Sequence, residues 1–120
     1  MLNQYNQLVN PAPIVIWVGA SLRRYEFQLH PIPIVYLERP GVYIFCSRAI
    51  NGNWNAIYVG ETDNFSRRLT NELATHHRWK SIRAAGATHI CTLHVPGHDS
   101  LRLQIETDLR HSLNPPCNRQ

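Results

Sequence analysis

The chain has 120 residues and a net charge of +4, and 43% of its residues are hydrophobic while 17% are charged. These values fit one globular domain with its own core, and they exclude an intrinsically disordered chain. The longest apolar run, Ile14 to Val18, is too short to cross a bilayer, and residues 1–5 lack the basic start of a signal peptide, so we expect a cytoplasmic protein.

The first 39 residues predict an N-terminal β extension. Residues 1–12 are polar and contain proline, which favours a loose arm. Ile14 to Val18 predicts a strand, and the alternation of polar and apolar residues from Tyr25 to Leu29 predicts a second, half-buried strand. A proline-containing segment then interrupts regular structure, and Ile34 to Leu37 predicts a further short extended piece.

Residues 40–120 predict a domain that begins with a hairpin. Strands are expected from Gly41 to Cys46 and from Asn55 to Val59. The Asn51-Gly52-Asn53 segment between them favours the positive φ of a tight turn. A third strand is expected from Thr88 to Val95, which is rich in β-branched residues.

Three helices are expected in the same domain. Their ranges are about 65–76, capped by Asp63 or Asn64, then 79–85, and finally 99–113, capped by Asp99 or Ser100. The last helix carries an apolar stripe formed by Leu101, Ile105, Leu109 and Leu113. The order β-β-α-α-β-α predicts an α+β fold with helices packed on a small antiparallel sheet.

Two tyrosines fall on the predicted hairpin, in Gly41-Val42-Tyr43 and Tyr58-Val59-Gly60. If the two strands pair, the rings could lie near each other on one face. A phenol has a pKa of about 10 and acts as a base at neutral pH only if nearby cations lower that pKa. The alternative is that both are ordinary half-buried strand residues.

Arg67 and Arg68 open the first predicted helix, and an arginine can place two N–H groups on two phosphate oxygens. Successive helical residues point about 100° apart, so at most one of the two faces the tyrosines. Glu72 and His76 follow Arg68 on the same helix face, and a histidine there could move a proton to or from a leaving oxygen. A helical Arg68–Glu72 ion pair is the alternative, and His77 points elsewhere, to solvent or to DNA.

Glu106, on the last predicted helix, is a candidate ligand for Mg²⁺. This ion takes one or two protein carboxylates and completes its shell with water and phosphate oxygens. Arg102 and Arg110 lie four residues to either side, which favours the alternative of an exposed charge ladder centred on Glu106.

The segment from Arg67 to Arg83 holds five basic residues and one acid, a local charge of +4. A basic patch of this kind suggests a polyanionic partner, and a solvated helix face is the alternative. The candidate nucleic-acid contacts are Arg67, His77, Arg78, Lys80 and Arg83.

The three cysteines, Cys46, Cys91 and Cys117, are expected to be reduced and buried, because their number and spacing fit no disulfide framework. Cys91, His94 and His98 form a weak zinc candidate, since the odd spacing of Cys91 and His94 puts them on opposite faces of a strand. A metal-sensing or redox protein built on Cys91 is the least favoured function.

Together, these residues resemble the motifs of the GIY-YIG nuclease family. Gly41-Val42-Tyr43 and Tyr58-Val59-Gly60 are similar to its two tripeptides. The run that follows resembles its strand-to-helix turn, with Arg68 at the position of its essential arginine. Glu106 is similar to its metal-binding glutamate, and the run from Asn114 to Asn118 resembles its closing segment.

The resemblance implies a small central three-stranded antiparallel sheet flanked by helices, and hydrolysis of DNA with a single Mg²⁺ (or Mn²⁺) ion. Tyr43 or Tyr58 would help to deprotonate the attacking water, and Arg68 would hold the scissile phosphate. Glu106 would bind the metal ion, and Asn118 would orient the site through hydrogen bonds. DNA is then the expected partner, and a homodimer or a partner protein would supply specificity.

The sequence departs from the family pattern in two places. Fourteen residues separate the tripeptides, which is more than in the family's usual short hairpin. Glu72 stands where the family often has a histidine, so that role falls to Glu72, His76 or His77. The alternative function is a non-catalytic nucleic-acid-binding or interaction module with the same fold.

Overall fold

One antiparallel β-sheet carries the fold, and its five strands in the described part of the chain lie in the order β1-β2-β5-β3-β4. The computed structural model describes residues 12–32, 36–71, 73 and 76–119. The strands are β1 (Ile14–Val18), β2 (Arg24–Pro31), β3 (Gly41–Arg48), β4 (Trp54–Thr62) and β5 (His89–His94). The helical elements are a π-helical turn (Arg67–Asn71), α1 (Trp79–Ala84), α2 (Asp99–Leu113) and a 3₁₀ turn (Pro116–Asn118). This is the α+β class that we predicted.

The predicted N-terminal strands belong to this same sheet. β1 pairs with β2, and β2 pairs with β5, so the extension adds two strands beside the predicted three. The hairpin formed by β1 and β2 is also fixed to α2, because the Asp108 carboxylate accepts hydrogen bonds from the hydroxyls of Ser21 (2.7 Å) and Tyr25 (2.8 Å). The predicted loose arm up to residue 11 and the start of the extended piece at Ile34 lie outside the described residues.

Two hydrophobic clusters form the core, and the strand residues of β3 alternate between them. The first cluster includes Val42, Ile44, Ile105 and Leu109, and the second includes Tyr43, Phe45, Leu69 and Ile82. Because β3 lies between β4 and β5 and both of its faces are covered, its residues from Gly41 to Cys46 are all buried. Tyr43 is therefore held in a packed environment.

The helix predicted from about Phe65 to His76 is confirmed in part, since the chain is helical from Phe65 to Asn71 but mostly as a π-helical turn. It begins at Phe65, after the Asn64 side chain accepts a hydrogen bond from the Arg67 N–H group (3.0 Å). Residues Arg67–Asn71 then form a π-helical turn, and His76 belongs to no helix. Each backbone hydrogen bond of a π turn spans five residues instead of four. The i+4 and i+8 spacing from Arg68 therefore does not place residues on one helix face, as the prediction assumed. Glu72 lies outside the described residues.

The predicted stripe on α2 is also partly wrong. Ile105 and Leu109 are buried, but Leu101 is 43% exposed, and its neighbour Arg102 is buried instead. His98 occupies the N-cap position that we assigned to Asp99 or Ser100. No helix in the described part of the chain is both long enough and apolar enough to cross a membrane.

Candidate active site

Tyr43 and Tyr58 lie on the neighbouring strands β3 and β4, with their ring centroids 6.2 Å apart. Tyr43 pairs in register with Gly60, and its ring lies over this glycine. A Cβ atom at Gly60 would come within 2.5 Å of the Tyr43 hydroxyl oxygen. The glycine that ends the second tripeptide therefore makes room for the tyrosine that ends the first.

His76 approaches the same tyrosine from the turn before α1. Its Nδ1 accepts a hydrogen bond from the Arg78 N–H group (3.1 Å), so the neutral ring carries its proton on Nε2. Nε2 lies 2.9 Å from the Tyr43 hydroxyl oxygen and donates to it. Both ring nitrogens are thus occupied, and His76 acts on the rest of the site through Tyr43.

Arg68, in the π-helical turn, is half-buried and lies beside both tyrosines. Burial raises the pKa of the Tyr43 hydroxyl well above its usual value and the charge of Tyr58 adds to this, whereas Arg68 lowers it as a hydrogen-bond partner and a positive charge. Burial also raises the pKa of Tyr58, and the charge of Arg68 again opposes it. Arg67, by contrast, is exposed and forms an ion pair with Asp63.

Glu106 enters the site from α2. The preceding residue, Ile105, is buried in the core, and Glu106 itself is half-buried. Burial raises the pKa of its carboxyl group, with an opposing contribution from Arg110. Its negative charge in turn raises the pKa values of Tyr43 and Tyr58. Tyr43, Tyr58 and His76 are thus in contact with one another, and the charges of Arg68 and Glu106 act on both phenols.

Arg102 does not take part in a ladder with Glu106. It is 5% exposed, its Nε donates to Glu61 Oε1 (3.1 Å), and its Nη1 donates to the Gly97 carbonyl (3.1 Å). This pair joins α2 to the end of β4 directly beside Gly60, and the Glu61 charge also raises the pKa of Glu106. We did not single out Glu61, because nothing in its spacing distinguishes it from a surface carboxylate.

The arrangement around Glu106 fits a magnesium ion. Within the described residues, the Glu106 carboxylate has no hydrogen-bond or ion-pair partner, and no three His, Cys, Asp or Glu side chains converge. A site with one protein carboxylate suits Mg²⁺, which retains several waters and binds substrate phosphates. Cys91 and His94 of the weak zinc candidate do not face one site. Cys91 is buried, with its Sγ 4.0 Å from the Cys46 Sγ, whereas His94 is exposed.

Asn118 holds the second tripeptide from the side. Its Oδ1 accepts a hydrogen bond from the Val59 N–H group (2.8 Å), and its Nδ2 donates to the Val59 carbonyl (2.9 Å). In the described part of the chain β4 is an edge strand, so no described strand pairs with these two backbone groups on that side. The Asn118 side chain takes the place of a strand partner and holds the backbone between Tyr58 and Gly60 in position.

We expect Asn118→Ala to lower the free energy of unfolding by about 1–3 kcal/mol, because it removes the partners of two backbone groups on a buried residue. Asn118→Asp keeps the acceptor but loses the donor. Its free energy of unfolding should therefore lie between those of Asn118→Ala and the original chain. Urea unfolding of the three proteins measures the difference. An alanine variant as stable as the original chain would contradict this account.

We also expect His76 to make stability depend on pH. Burial lowers the pKa of His76 to about 4, with Arg68 and His77 adding to the effect, whereas an exposed histidine titrates near 6.5. Between these values the unfolded chain binds more protons, so stability is lost as the pH falls from about 6.5 to 4, by at most about 1.4 kcal/mol per pH unit. Urea unfolding at pH 7, 6 and 5 should show a shallower loss in His76→Gln, and parallel losses would refute the prediction.

Apart from Arg67, the predicted basic contacts lie in the turn before α1 and on α1 itself. His77 is exposed and stacks on His76, with ring centroids 5.3 Å apart and planes 4° apart. Lys80 and Arg83 are exposed on α1, and both line a groove of about 430 Å³. Trp79 also lines this groove, and we did not predict a role for it. Its position beside Lys80 in the basic segment is the signal that could have drawn attention to it.

No protein-family model matches the chain, and no curated protein matches it at a significant level. Solved structures do resemble it, among them the GIY-YIG N-terminal endonuclease domain of UvrC from Thermotoga maritima bound to magnesium as its catalytic divalent cation. That domain is 25% identical, with a TM-score of 0.54, and the match covers 68% of this chain and 85% of that chain.

A tyrosine-to-phenylalanine point mutant of the same domain, bound to its catalytic divalent cation, is also 25% identical. Its TM-score is 0.55, and the match covers 68% of this chain and 84% of that chain. The protein has the GIY-YIG nuclease fold.

Proposed function

We propose that the protein is a DNA endonuclease that hydrolyses phosphodiester bonds with a single Mg²⁺ ion. The observation that carries this proposal is the position of Tyr43 and Tyr58 on neighbouring strands, with ring centroids 6.2 Å apart and the Tyr43 hydroxyl 2.9 Å from His76 Nε2. One cationic and one anionic side chain flank Tyr43 and Tyr58, and each changes the pKa of both. The similarity to a nuclease domain bound to a catalytic divalent cation supports a nuclease-type function.

Each side chain has a role that follows from its chemistry. Arg68 would place its planar guanidinium on two oxygens of the scissile phosphate and offset charge that develops during attack. Glu106 would hold Mg²⁺, which when bound would act as a Lewis acid on a phosphate oxygen. Asn118 would keep the Tyr58-Val59-Gly60 segment in place.

The two phenols would bind the attacking water. Their raised pKa values mean that both keep their protons at neutral pH in the absence of substrate. The Tyr43 oxygen receives a hydrogen bond from His76 and Arg68 lowers the pKa of this hydroxyl, and both effects favour a phenolate. His76 is thus a positioning residue that aims the Tyr43 hydroxyl and supports loss of its proton.

Nicking of supercoiled plasmid tests the proposal directly. The protein should convert the plasmid to open circles in the presence of Mg²⁺, and EDTA should stop the reaction. Mn²⁺ should substitute for Mg²⁺, since both accept carboxylate and phosphate oxygens. Binding of the plasmid without nicking under any of these conditions would instead favour a non-catalytic binding module.

We expect Lys80 and Arg83 to contact DNA phosphates, because both are exposed and lie on one side of the site. Each phosphate contact contributes about −0.9 to the slope of log K against log salt for duplex DNA. A variant with Lys80→Gln and Arg83→Gln should therefore have a slope about 1.8 units less negative, measured by fluorescence anisotropy without divalent metal. An unchanged slope would exclude both contacts.

A further inference from the structure

The groove lined by His77, Trp79, Lys80 and Arg83, which we call the α1 groove, has a volume of about 430 Å³ and is not used by the proposed chemistry. His76 forms part of its wall. The Nε2 atom of the same ring binds the Tyr43 hydroxyl, so a single side chain, His76, lies between the groove and Tyr43. A ligand in the groove would therefore lie one side chain away from Tyr43.

The aromatic rings of the α1 groove are held in fixed positions before any ligand binds. His77 is exposed, but its ring stacks on the buried His76 ring at 5.3 Å with the planes nearly parallel. Trp79 is half-buried and packs on Phe45, with ring centroids 5.5 Å apart. Preorganised ring faces of this kind bind planar groups at a low entropic cost.

The charges of the α1 groove are those that bind phosphate. Lys80 and Arg83 lie one turn apart on α1, and both are exposed. Among the described residues that line the groove, there is no Asp or Glu. Aromatic ring faces beside cationic side chains are the features that bind single-stranded nucleic acid, in which bases stack on the rings and phosphates contact the cations.

We propose that the α1 groove binds one unstacked nucleotide of the DNA next to the scissile phosphate, so that the preferred substrate carries an unpaired nucleotide at that point. This inference rests on the proposed endonuclease function. A fully paired duplex would have to unstack a base to fill the groove, and that cost is lowest for a base that is already unpaired.

Binding to matched oligonucleotides tests the inference in the absence of divalent metal, so that no cleavage intervenes. One duplex is fully paired, and the other carries a single-nucleotide 2-aminopurine bulge. We expect the bulged duplex to bind at least about fivefold more tightly, and the fluorescence of its 2-aminopurine to be quenched on binding. Equal affinity for the two duplexes would overturn the inference.

Substitutions at His77 separate stacking from charge and from folding. His77→Ala should remove most of the preference for the bulged duplex, whereas His77→Phe should keep it, because a phenyl ring still stacks. Lys80→Gln is the matched control and should weaken binding to both duplexes by a similar factor. The same loss of preference in both His77 variants would overturn the stacking argument.

Plasmid nicking by the unaltered protein distinguishes this inference from the proposed function. Nicking without any preference for the bulged duplex would leave the endonuclease in place and remove the nucleotide site. A preference for the bulged duplex without nicking would retain the nucleotide site and remove the catalytic proposal.

Discussion

Glu106→Gln and Arg68→Ala are each expected to reduce the rate of DNA nicking by about 10²–10³-fold, the loss typical of removing one group that stabilises charge in a transition state. The glutamine variant should do this without losing stability. Burial raises the pKa of Glu106, so its charged form is unfavourable in the fold, and a neutral amide of the same size removes that cost. We therefore expect the melting temperature of Glu106→Gln to equal or exceed that of the original chain.

Arg67→Ala is the matched control for Arg68→Ala. Arg67 is the adjacent residue in the same π-helical turn, but it is exposed and pairs with Asp63. Its loss should change nicking by no more than a few-fold, because its guanidinium pairs with Asp63 at the surface, whereas Arg68 acts on both tyrosines. Equal losses of activity in the two arginine variants, or full activity in Glu106→Gln, would refute the assignment of the site.

Gly60→Ala is expected to abolish nicking and to lower the free energy of unfolding by about 1–3 kcal/mol, the usual cost of adding a methyl group to a packed core. The added Cβ would lie 2.5 Å from the Tyr43 hydroxyl oxygen. Tyr43 is 1% exposed and is surrounded by Phe45, Tyr58 and His76, so its ring has no free space to move into. The hydroxyl and its hydrogen bond to His76 would be displaced together.

A double-mutant cycle tests this explanation of the Gly60 effect. In a Tyr43→Ala background the ring is absent, so the further change Gly60→Ala should cost almost nothing in urea unfolding. Residues in contact give a coupling energy, whereas independent residues give additive effects. Additive losses would show that Gly60 is needed for some other reason than the position of Tyr43.

Much of the fold could be predicted because it depends on local patterns. The apolar runs on either side of Asn51-Gly52-Asn53 predicted β3 and β4, which the structure extends to Arg48 and Thr62. The pairing of β2 with β5 could not be predicted in this way. It joins residues 58 to 64 positions apart in the chain, and no spacing in the sequence records such a contact.

The residues that converge around Tyr43 could be named from their motifs, but the path of the chain between Arg68 and His76 could not. The same apolar residues can form an α-helix or a π-helical turn, and Leu69 is buried in the π-helical turn that forms. Each backbone hydrogen bond spans five residues in the π turn and four in the α-helix. His76 reaches Tyr43 from a turn that follows the helix, which the i+8 spacing could not indicate. The burial of Arg102 in place of Leu101 depends on the distant partner Glu61.

The two hydrogen bonds between Asn118 and Val59 also affect how readily the molecule aggregates in concentrated solution. An edge strand with free N–H and C=O groups is a template on which another chain can add a strand and begin to aggregate. Asn118 occupies both groups of Val59 on the open side of β4, and Cys117 is buried directly before it. The segment that carries Asn118 therefore also covers part of the exposed edge of β4. Its loss would expose backbone groups through which two copies of the protein could pair edge to edge.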